Sequence, residues 1–162
     1  KTTVIRKIID RLDCPTQGFF TEEERVDGRR SGFMMISLGN ERGYLAHQDI
    51  SSDIRIRRYG VNIENVENIA ARSIEPKEGT LIILDEIGKM ECFSLKFRET
   101  VVRALASPNI VIGTITLGGG DFIKSVKSRD DIEIVEVNPE NRNELPEMIL
   151  KKIRALQKAH TV

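Results

Sequence analysis

The sequence predicts an α/β protein in which helices cover both faces of a mainly parallel β-sheet that carries an antiparallel hairpin insertion. Its second half alternates between short, almost wholly apolar runs and amphipathic helical patterns, and such runs are typical of parallel strands buried on both faces. A hairpin pattern occupies part of the first half. With 162 residues and no repeat, low-complexity tract or linker, the chain is predicted to form one domain over residues 1–162.

The elements of the first half are predicted from hydrophobic spacing and from turn residues. The opening helix has apolar residues at positions 4, 5, 8, 9 and 12. The hairpin has the turn sequence GNERG between two strand-like runs, and the next helix has Asn62 as its predicted N-cap. In chain order the predictions are a helix that begins at or before Lys1 and ends before Pro15, a strand in QGFFTEE (17–23), a hairpin over 29–48, an edge strand around 54–58 and a helix over 62–74.

The second half supplies the strands and helices of the parallel core. Apolar runs bounded by turn residues predict strands, and runs with helical spacing predict helices. In chain order the predictions are a strand in TLIILDE (80–86), a helix over 94–106, a strand in NIVIGTIT (109–116), a short helix over 121–127, a strand in IEIVEV (132–137) and a long helix from about 141 to 159. The LGGGD sequence (117–121) is interpreted as a turn.

Composition and charge argue against several classes of protein. The 25 basic and 25 acidic residues cancel, so a general nucleic-acid binder or a membrane-surface protein is not indicated, and no run approaches the roughly 20 apolar residues of a membrane span. Cys14 and Cys92 lie far apart without His partners at metal spacing, so neither a disulfide nor a zinc site is expected, and the free thiols fit a cytoplasmic protein. His47 and His160 are isolated in the sequence and carry no catalytic prediction.

The stretch LIILDEIGKMECF (81–93) contains the strongest functional signal. Four apolar residues run into Asp85 and Glu86, the pattern of a Walker B strand whose aspartate holds Mg²⁺ at the carboxyl edge of a sheet. Glu86 would then orient or deprotonate a water molecule, unless both acids are merely the solvated end of a strand. Gly88 allows a tight turn that would bring Lys89 to the same place as a catalytic cation. The alternative for Lys89 is a surface ion pair with Glu91.

The KTT sequence at positions 1–3 matches the last residues of a Walker A loop, G-x-x-x-x-G-K-[ST]. In that motif the lysine reaches the β- and γ-phosphates and the next hydroxyl binds Mg²⁺, which assigns phosphate to Lys1 and Mg²⁺ to Thr2. Thr3, directly after the motif, is a further candidate for contact with the nucleotide. The N-terminus of a helix also offers free N–H groups to phosphate. The glycine loop and the strand before it are absent from this sequence and are expected upstream of Lys1.

Further short segments accompany these motifs along the chain. In order, with the Walker B region included, they are GFFTEE (18–23), SGF (31–33), YGVN (59–62), DEIGKME (85–91) and PENR (139–142). Together they resemble the small P-loop nucleoside-triphosphatases known from thermophiles and, in humans, as cancer-related nucleoside-triphosphatase. The resemblance spans essentially the whole chain, and DEIGKME is far more specific than a bare Walker B strand. It implies a P-loop fold and Mg²⁺-dependent hydrolysis of several nucleoside triphosphates to diphosphate and phosphate.

Several other residues have two interpretations. The resemblance implies that Asn141 and Arg142 contact the base side of the nucleotide, whereas the local pattern also fits an N-cap and a solvated arginine. A further set of residues could contact the nucleotide or its phosphates, but the local pattern also explains them as ordinary strand or surface residues. They are Thr114, Thr116, Arg55, Arg57, Arg58, Arg129 and residues 21–23.

Two other functions use the same phosphate site and stay open at this point. A nucleotide or small-molecule kinase would need an additional pocket for an acceptor. A non-enzymatic, nucleotide-gated binding module would bind the nucleotide but turn it over negligibly. The sequence pattern predicts a nucleoside triphosphate as the ligand in all three cases.

Overall fold

The computed structural model describes residues 1–160, which form a mixed seven-stranded sheet with helices packed on both faces. The strands are β1 (Thr16–Val26), β2 (Arg29–Ser37), β3 (Arg42–His47), β4 (Arg55–Ile56), β5 (Tyr59–Val61), β6 (Leu81–Ile87) and β7 (Val111–Ile115). Their order across the sheet is β4-β5-β3-β2-β1-β6-β7. The helices are α1 (Thr2–Ile9), α2 (Ile63–Asn65, continued by a π-helix over Val66–Ala71), α3 (Leu95–Ala106), α4 (Asp121–Lys127) and α5 (Leu145–His160).

Strands β1, β6 and β7 form the parallel part of the sheet, with β6 in the middle. The side chains of β6 alternate between two apolar cores. Leu81 and Ile83 pack with α1 and α5, whereas Ile82 and Leu84 pack on the other face with the π-helix and α3. Because both faces of β6 are covered, its continuous apolar run satisfies the predicted pattern, and the α/β class with helices on both faces is confirmed.

The sheet is mixed and not mainly parallel as predicted, because β1, β2, β3, β5 and β4 pair antiparallel in turn and so extend the antiparallel part beyond one hairpin. The predicted hairpin is confirmed as β2 and β3. A second hairpin joins β1 to β2 through Asp27 (φ 48°) and Gly28 (φ 75°), whose positive φ values match the twist of the flanking strands. The idea that a strand ends at residues 21–23 is therefore wrong, since β1 continues to Val26 before this Asp-Gly turn.

The predicted strand at 132–137 is not present. No described strand pairs with this segment, and Ile134 and Val135 are 50% and 44% exposed. An alternating apolar pattern is a local property, but a strand also needs a neighbouring backbone to pair with its N–H and C=O groups. The local pattern therefore does not decide the structure of this segment.

Helix α5 begins at Leu145 and not at about residue 141. The chain first makes a turn in which Asn138 Oδ1 accepts from the Asn141 N–H and Asn141 Oδ1 accepts from the Asn138 N–H, both at 2.9 Å. Such side-chain bonds to nearby backbone compete with helix formation. Pro146 follows in the first turn of α5, where the backbone N–H that proline lacks has no helical partner.

The predicted helices around 62–74 and 94–106 are confirmed, and each has a side-chain cap. Asn62 Oδ1 accepts from the Asn65 N–H at 2.9 Å, and Ser94 Oγ accepts from the Phe97 N–H at 3.0 Å. These bonds satisfy donors that the first turn of a helix leaves free. Within residues 1–160, no helix combines the length and apolar character needed to cross a membrane.

Candidate active site

The carboxyl end of β6 holds Asp85 in the interior and the adjacent Glu86 near the surface. Asp85 is 0% exposed, and its Oδ1 accepts a 2.6 Å hydrogen bond from Thr114 Oγ1 on β7. Burial raises the pKa of Asp85, while the Thr114 and Thr2 hydroxyls oppose that shift. Thr114 thus contacts the carboxylate directly, a role that follows from the pairing of β6 with β7.

Helix α1 brings the first residues of the chain to the same edge of the sheet. Lys1 Nζ lies 2.5 Å from Glu86 Oε2 and donates to the backbone carbonyl of Ile115 at 3.2 Å. Thr2, the first residue of α1, has its hydroxyl beside Asp85. The buried face of α1 packs on β6 and α5, which holds the helix N-terminus at this position. The structure therefore brings the KTT and DE sequences together.

The chemistry of this edge suits a divalent cation with oxygen ligands. Asp85 Oδ2 is buried and has no hydrogen-bond partner among the described residues, and a buried carboxylate oxygen is costly unless it is paired or binds a metal. No cluster of three His, Cys, Asp or Glu residues able to hold a metal occurs within residues 1–160. A magnesium ion in a nucleotide site does not need one, because it takes few protein oxygens and completes its shell with phosphates and water.

Glu91 is a residue of this site that the sequence interpretation missed. It is 3% exposed, at the start of a 3₁₀ turn (Glu91–Phe93) that follows β6, and burial together with the charges of Glu86 and Asp85 raises its pKa to about 8. Lys89 is exposed and has no ion pair among the described residues. The proposed surface pair between Lys89 and Glu91 is therefore wrong, because the Glu91 carboxyl group is inside the protein.

Asn141 and Arg142 lie in the turn before α5, so neither caps that helix. Asn141 supports the turn, since its Nδ2 also donates to the Glu136 carbonyl at 2.8 Å. Arg142 lines a cavity of about 330 Å³ that opens beside Lys1. The residues that line this cavity are Lys1, Thr3, Val4, Lys7, Val137, Arg142 and Asn143.

The other cationic candidates lie elsewhere. Arg129 forms a two-bond ion pair with Asp131, at 2.6 and 2.8 Å, and donates to the Leu105 carbonyl near the end of α3. Arg58 donates to the Arg30 carbonyl, where a separate cavity lies between the β1–β2 and β4–β5 turns. Arg55 lies in the predicted edge strand, and the turn residue Arg57 has a φ of 55°. None of these four arginines reaches Asp85 or Glu86.

The residues around β1 have partners that only the tertiary structure brings together. The backbone of Thr21 lies beside Asp85, whereas Glu22 pairs with Arg6 at 2.5 Å and Glu23 pairs with Arg30 at 2.5 Å. Thr116 follows β7, and its N–H donates to the Ile87 carbonyl at 3.2 Å. Of residues 21–23, Thr21 is therefore the one that borders the site.

His47 is not isolated, contrary to the expectation from the sequence. Its Nε2 lies 3.1 Å from Glu24 Oε2, and the Tyr44 hydroxyl donates to Glu24 Oε1 at 2.8 Å. The Tyr44 hydrogen bond lowers the pKa of Glu24. Pairing of β1, β2 and β3 assembles this group from distant positions. The side chain of His160 lies outside the described part of the chain.

Comparison with known proteins shows the family of the chain. The model of the family described as NTPase matches residues 1–150. The chain is 44% identical over 156 residues to nucleoside-triphosphatase THEP1 of Thermotoga maritima, which covers 95% of this chain and 89% of that protein. It is 32% identical over 176 residues to the human cancer-related nucleoside-triphosphatase, which covers 98% of this chain and 93% of that protein.

Two solved structures have the same fold. The crystal structure of THEP1 from Aquifex aeolicus has a TM-score of 0.84 at 33% identity, covering 93% of this chain and 91% of that one. The solution structure of the human cancer-related nucleoside triphosphatase has a TM-score of 0.81 at 31% identity, covering 95% of this chain and 91% of that one. The extent of the family match and the identity to these relatives lead to one conclusion: the chain belongs to the NTPase family of P-loop proteins.

Proposed function

We propose that the protein hydrolyses nucleoside triphosphates of several bases to diphosphate and phosphate in a Mg²⁺-dependent reaction. The observation that carries the proposal is the meeting of Lys1 and Thr2 with Asp85 and Glu86 at one edge of the sheet. Lys1 supplies a cation for the phosphates, and Thr2 and Asp85 supply two oxygen ligands for a metal ion. Glu86 supplies a carboxylate that orients a water molecule. The names of the relatives, which are nucleoside-triphosphatases, support the same activity.

Lys1 and Thr3 are assigned to the phosphates of the substrate. Lys1 precedes the first turn of α1, where the N–H groups of the helix are free and attract anions. In the described structure its ammonium group is paired with Glu86. Binding of the β- and γ-phosphates would draw Lys1 away from this partner and release the Glu86 carboxylate for catalysis.

Thr2 and Asp85 are assigned to Mg²⁺. The unpartnered Oδ2 of Asp85 supports this assignment, because a hard cation prefers such an oxygen and compensates for its burial. The ion, when bound, neutralises charge on the β- and γ-phosphates. Thr114 keeps the Asp85 carboxyl group in one orientation through its 2.6 Å hydrogen bond.

The nucleoside is assigned to the cavity of about 330 Å³ beside Lys1, which Arg142 lines, with Asn141 in the adjoining turn. Lys7 and Arg142 make this cavity cationic, and Val4 and Val137 give it apolar surface. Such a lining attracts phosphate and contacts any base plane without reading one hydrogen-bond pattern. This composition supports broad base specificity. The free thiols of Cys14 and Cys92 support a reducing, cytoplasmic location.

The test of the proposed activity is release of phosphate from ATP and GTP with Mg²⁺ and no acceptor. Glu86→Gln should lower kcat by about 10²- to 10⁴-fold and leave KM nearly unchanged, because general-base assistance acts in the transition state. Phosphate release that requires an added acceptor would instead identify a kinase. Tight nucleotide binding with negligible turnover in the unmutated protein would identify a binding module.

Lys89 is assigned to the charge that develops on the transferred phosphoryl group. The exposed loop after β6 carries this lysine with no ion pair among the described residues, so its ammonium group is free to turn toward the substrate. Lys89→Ala should lower kcat at least about tenfold with little change in unfolding temperature. The control is Lys96→Ala, an exposed lysine on α3. A kcat within about twofold of the parent would remove Lys89 from the mechanism.

A further inference from the structure

Glu91 and Glu86 approach each other across the backbone of Gly88. A Cβ atom on Gly88 would lie 2.6 Å from Glu91 Oε2 and 3.0 Å from Glu86 Oε1. The two carboxyl groups therefore lie against the same face of Gly88. They occupy space that is open because glycine has no side chain. Any side chain at this position would displace one of them.

The surroundings of Glu91 favour its neutral form. Asp85, Glu86 and Glu91 gather at the end of β6, and Lys1 is the only ion-pair partner of Glu86 among the described residues. Asp85 and Glu91 are both almost inaccessible to water, at 0% and 3% exposure, but Asp85 accepts a hydrogen bond from Thr114, whereas Glu91 has no cationic partner among the described residues. Burial disfavours its charged form, and the neighbouring acids disfavour it further. A neutral carboxyl group has an O–H that can donate a hydrogen bond.

The Glu86 carboxylate needs a second partner during the reaction. Lys1 holds Glu86 Oε2 at 2.5 Å in the described structure, but the same ammonium group is required at the phosphates. Once Lys1 moves, the other oxygen, Oε1, still faces Gly88 and the Glu91 carboxyl group. An unheld glutamate at a strand end would sample several rotamers and present water poorly to the substrate.

We propose that Glu91 is a positioning residue whose carboxyl O–H donates a hydrogen bond to Glu86 when Lys1 binds the phosphates, and so fixes the carboxylate that orients the attacking water. This inference rests on the proposed hydrolysis and on the role of Glu86 in it. It explains why an acid, and not an apolar residue, fills a nearly water-free position at the start of the 3₁₀ turn.

The test is a double-substitution cycle between Glu91 and Glu86, measured as phosphate release at saturating Mg²⁺–ATP. Glu91→Leu removes the donor and should lower kcat at least about tenfold with KM within about twofold. Glu91→Gln retains a donor, the side-chain amide, and should keep kcat within about threefold. In the Glu86→Gln background, Glu91→Leu should have no further effect, because the carboxylate that it positions is gone.

Three results would overturn the inference. They are a normal kcat in Glu91→Leu, an equal loss in Glu91→Gln and Glu91→Leu, or the same loss from Glu91→Leu in both backgrounds. If Glu91→Leu does not fold, Glu91→Met replaces it, since an unbranched side chain fits an irregular space more readily. A lowered kcat in Glu86→Gln with a normal kcat in Glu91→Leu would contradict this inference but not the proposed mechanism. A normal kcat in Glu86→Gln would contradict the proposed mechanism itself.

Discussion

Asp85 and Glu86 are neighbours in the sequence, but they meet different surroundings at the end of β6. Asp85 is 0% exposed and hydrogen-bonded to Thr114, whereas the Glu86 side chain is 31% exposed and paired with Lys1. The difference follows from their neighbours, since β7 supplies the Thr114 hydroxyl to Asp85 and the chain start supplies the Lys1 ammonium group to Glu86. These surroundings fit the proposed roles, in which Asp85 is a metal ligand and Glu86 orients a water molecule.

Glu91 makes a pH-dependent contribution to stability. Its pKa is about 8 in the folded protein against an ordinary value of 4.5, so between these values the folded state holds a proton that the unfolded state has released. This contribution is complete below pH 4.5 and is lost as the pH rises through 8, with a slope of up to about 1.4 kcal/mol per pH unit. Glu91→Gln cannot titrate, so its stability relative to the parent should rise between pH 6 and roughly 8.5.

Urea unfolding of both proteins across this pH range measures the difference. The control is Glu147→Gln, because Arg11 lowers the pKa of Glu147 and this carboxyl is ionised in the folded and unfolded states throughout the range. Its difference from the parent should therefore not change with pH. A constant difference for Glu91→Gln as well would show that Glu91 is ionised in the folded protein.

At the scale of elements, β1 joins the two parts of the sheet. It pairs parallel to β6 on one side and antiparallel to β2 on the other. Gly18 permits the parallel contact, because it has a φ of 122° and a Cβ on it would overlap the backbone carbonyl of Ile83. A strand that served only the hairpin would not need glycine at this position.

Gly18→Ala should therefore destabilise the protein by several kcal/mol, through both backbone strain and displacement of β6. Gly28→Ala is the matched control. It also has a positive φ, of 75°, but nothing lies within 4 Å of the added Cβ, so the expected cost is about 1 kcal/mol. Chemical denaturation of both variants measures the two losses. Equal losses would mean that close approach to Ile83 is unimportant and that backbone strain alone explains the requirement.

At the scale of the whole molecule, the site joins parts of the chain that fold against different cores. α1 packs with α5 on one face of β6, whereas the π-helix and α3 cover the other face. The site lies where β6 ends between these two layers, the edge at which open α/β sheets bind ligands. Ligand binding should therefore stabilise the entire domain and not one local segment.

Mg²⁺–ATP at about one hundred times its dissociation constant should raise the free energy of unfolding by about 2.7 kcal/mol. In Asp85→Asn, Mg²⁺ should no longer add to the rise in unfolding free energy that ATP produces, since the substitution removes the assigned carboxylate ligand. Asp131→Asn is the control, because Asp131 is exposed and paired with Arg129. Thermal unfolding with ATP in the presence and absence of Mg²⁺ gives the comparison. An undiminished Mg²⁺ increment in Asp85→Asn would exclude this metal site.

The sequence by itself determined the features that depend on neighbouring residues. Helical spacing, the Asn62 cap and the apolar run of β6 predicted elements that the structure contains, because caps and periodicity act within one or two turns or along one strand. The Walker B pattern likewise predicted Asp85 and Glu86 as candidates, and the structure places them beside Thr2 and Lys1. The Asp27–Gly28 dipeptide is also a typical hairpin signal at the level of the sequence.

Only the tertiary structure decided which distant groups meet. It left 132–137 unpaired despite an alternating pattern, buried Glu91 beside Glu86, and gave His47 the partner Glu24. Strand pairing and burial depend on segments far apart in the chain, and they change the charge state of an acid by removing water from it. The spacing of residues along the sequence does not show directly which strands pair or which side chains are buried.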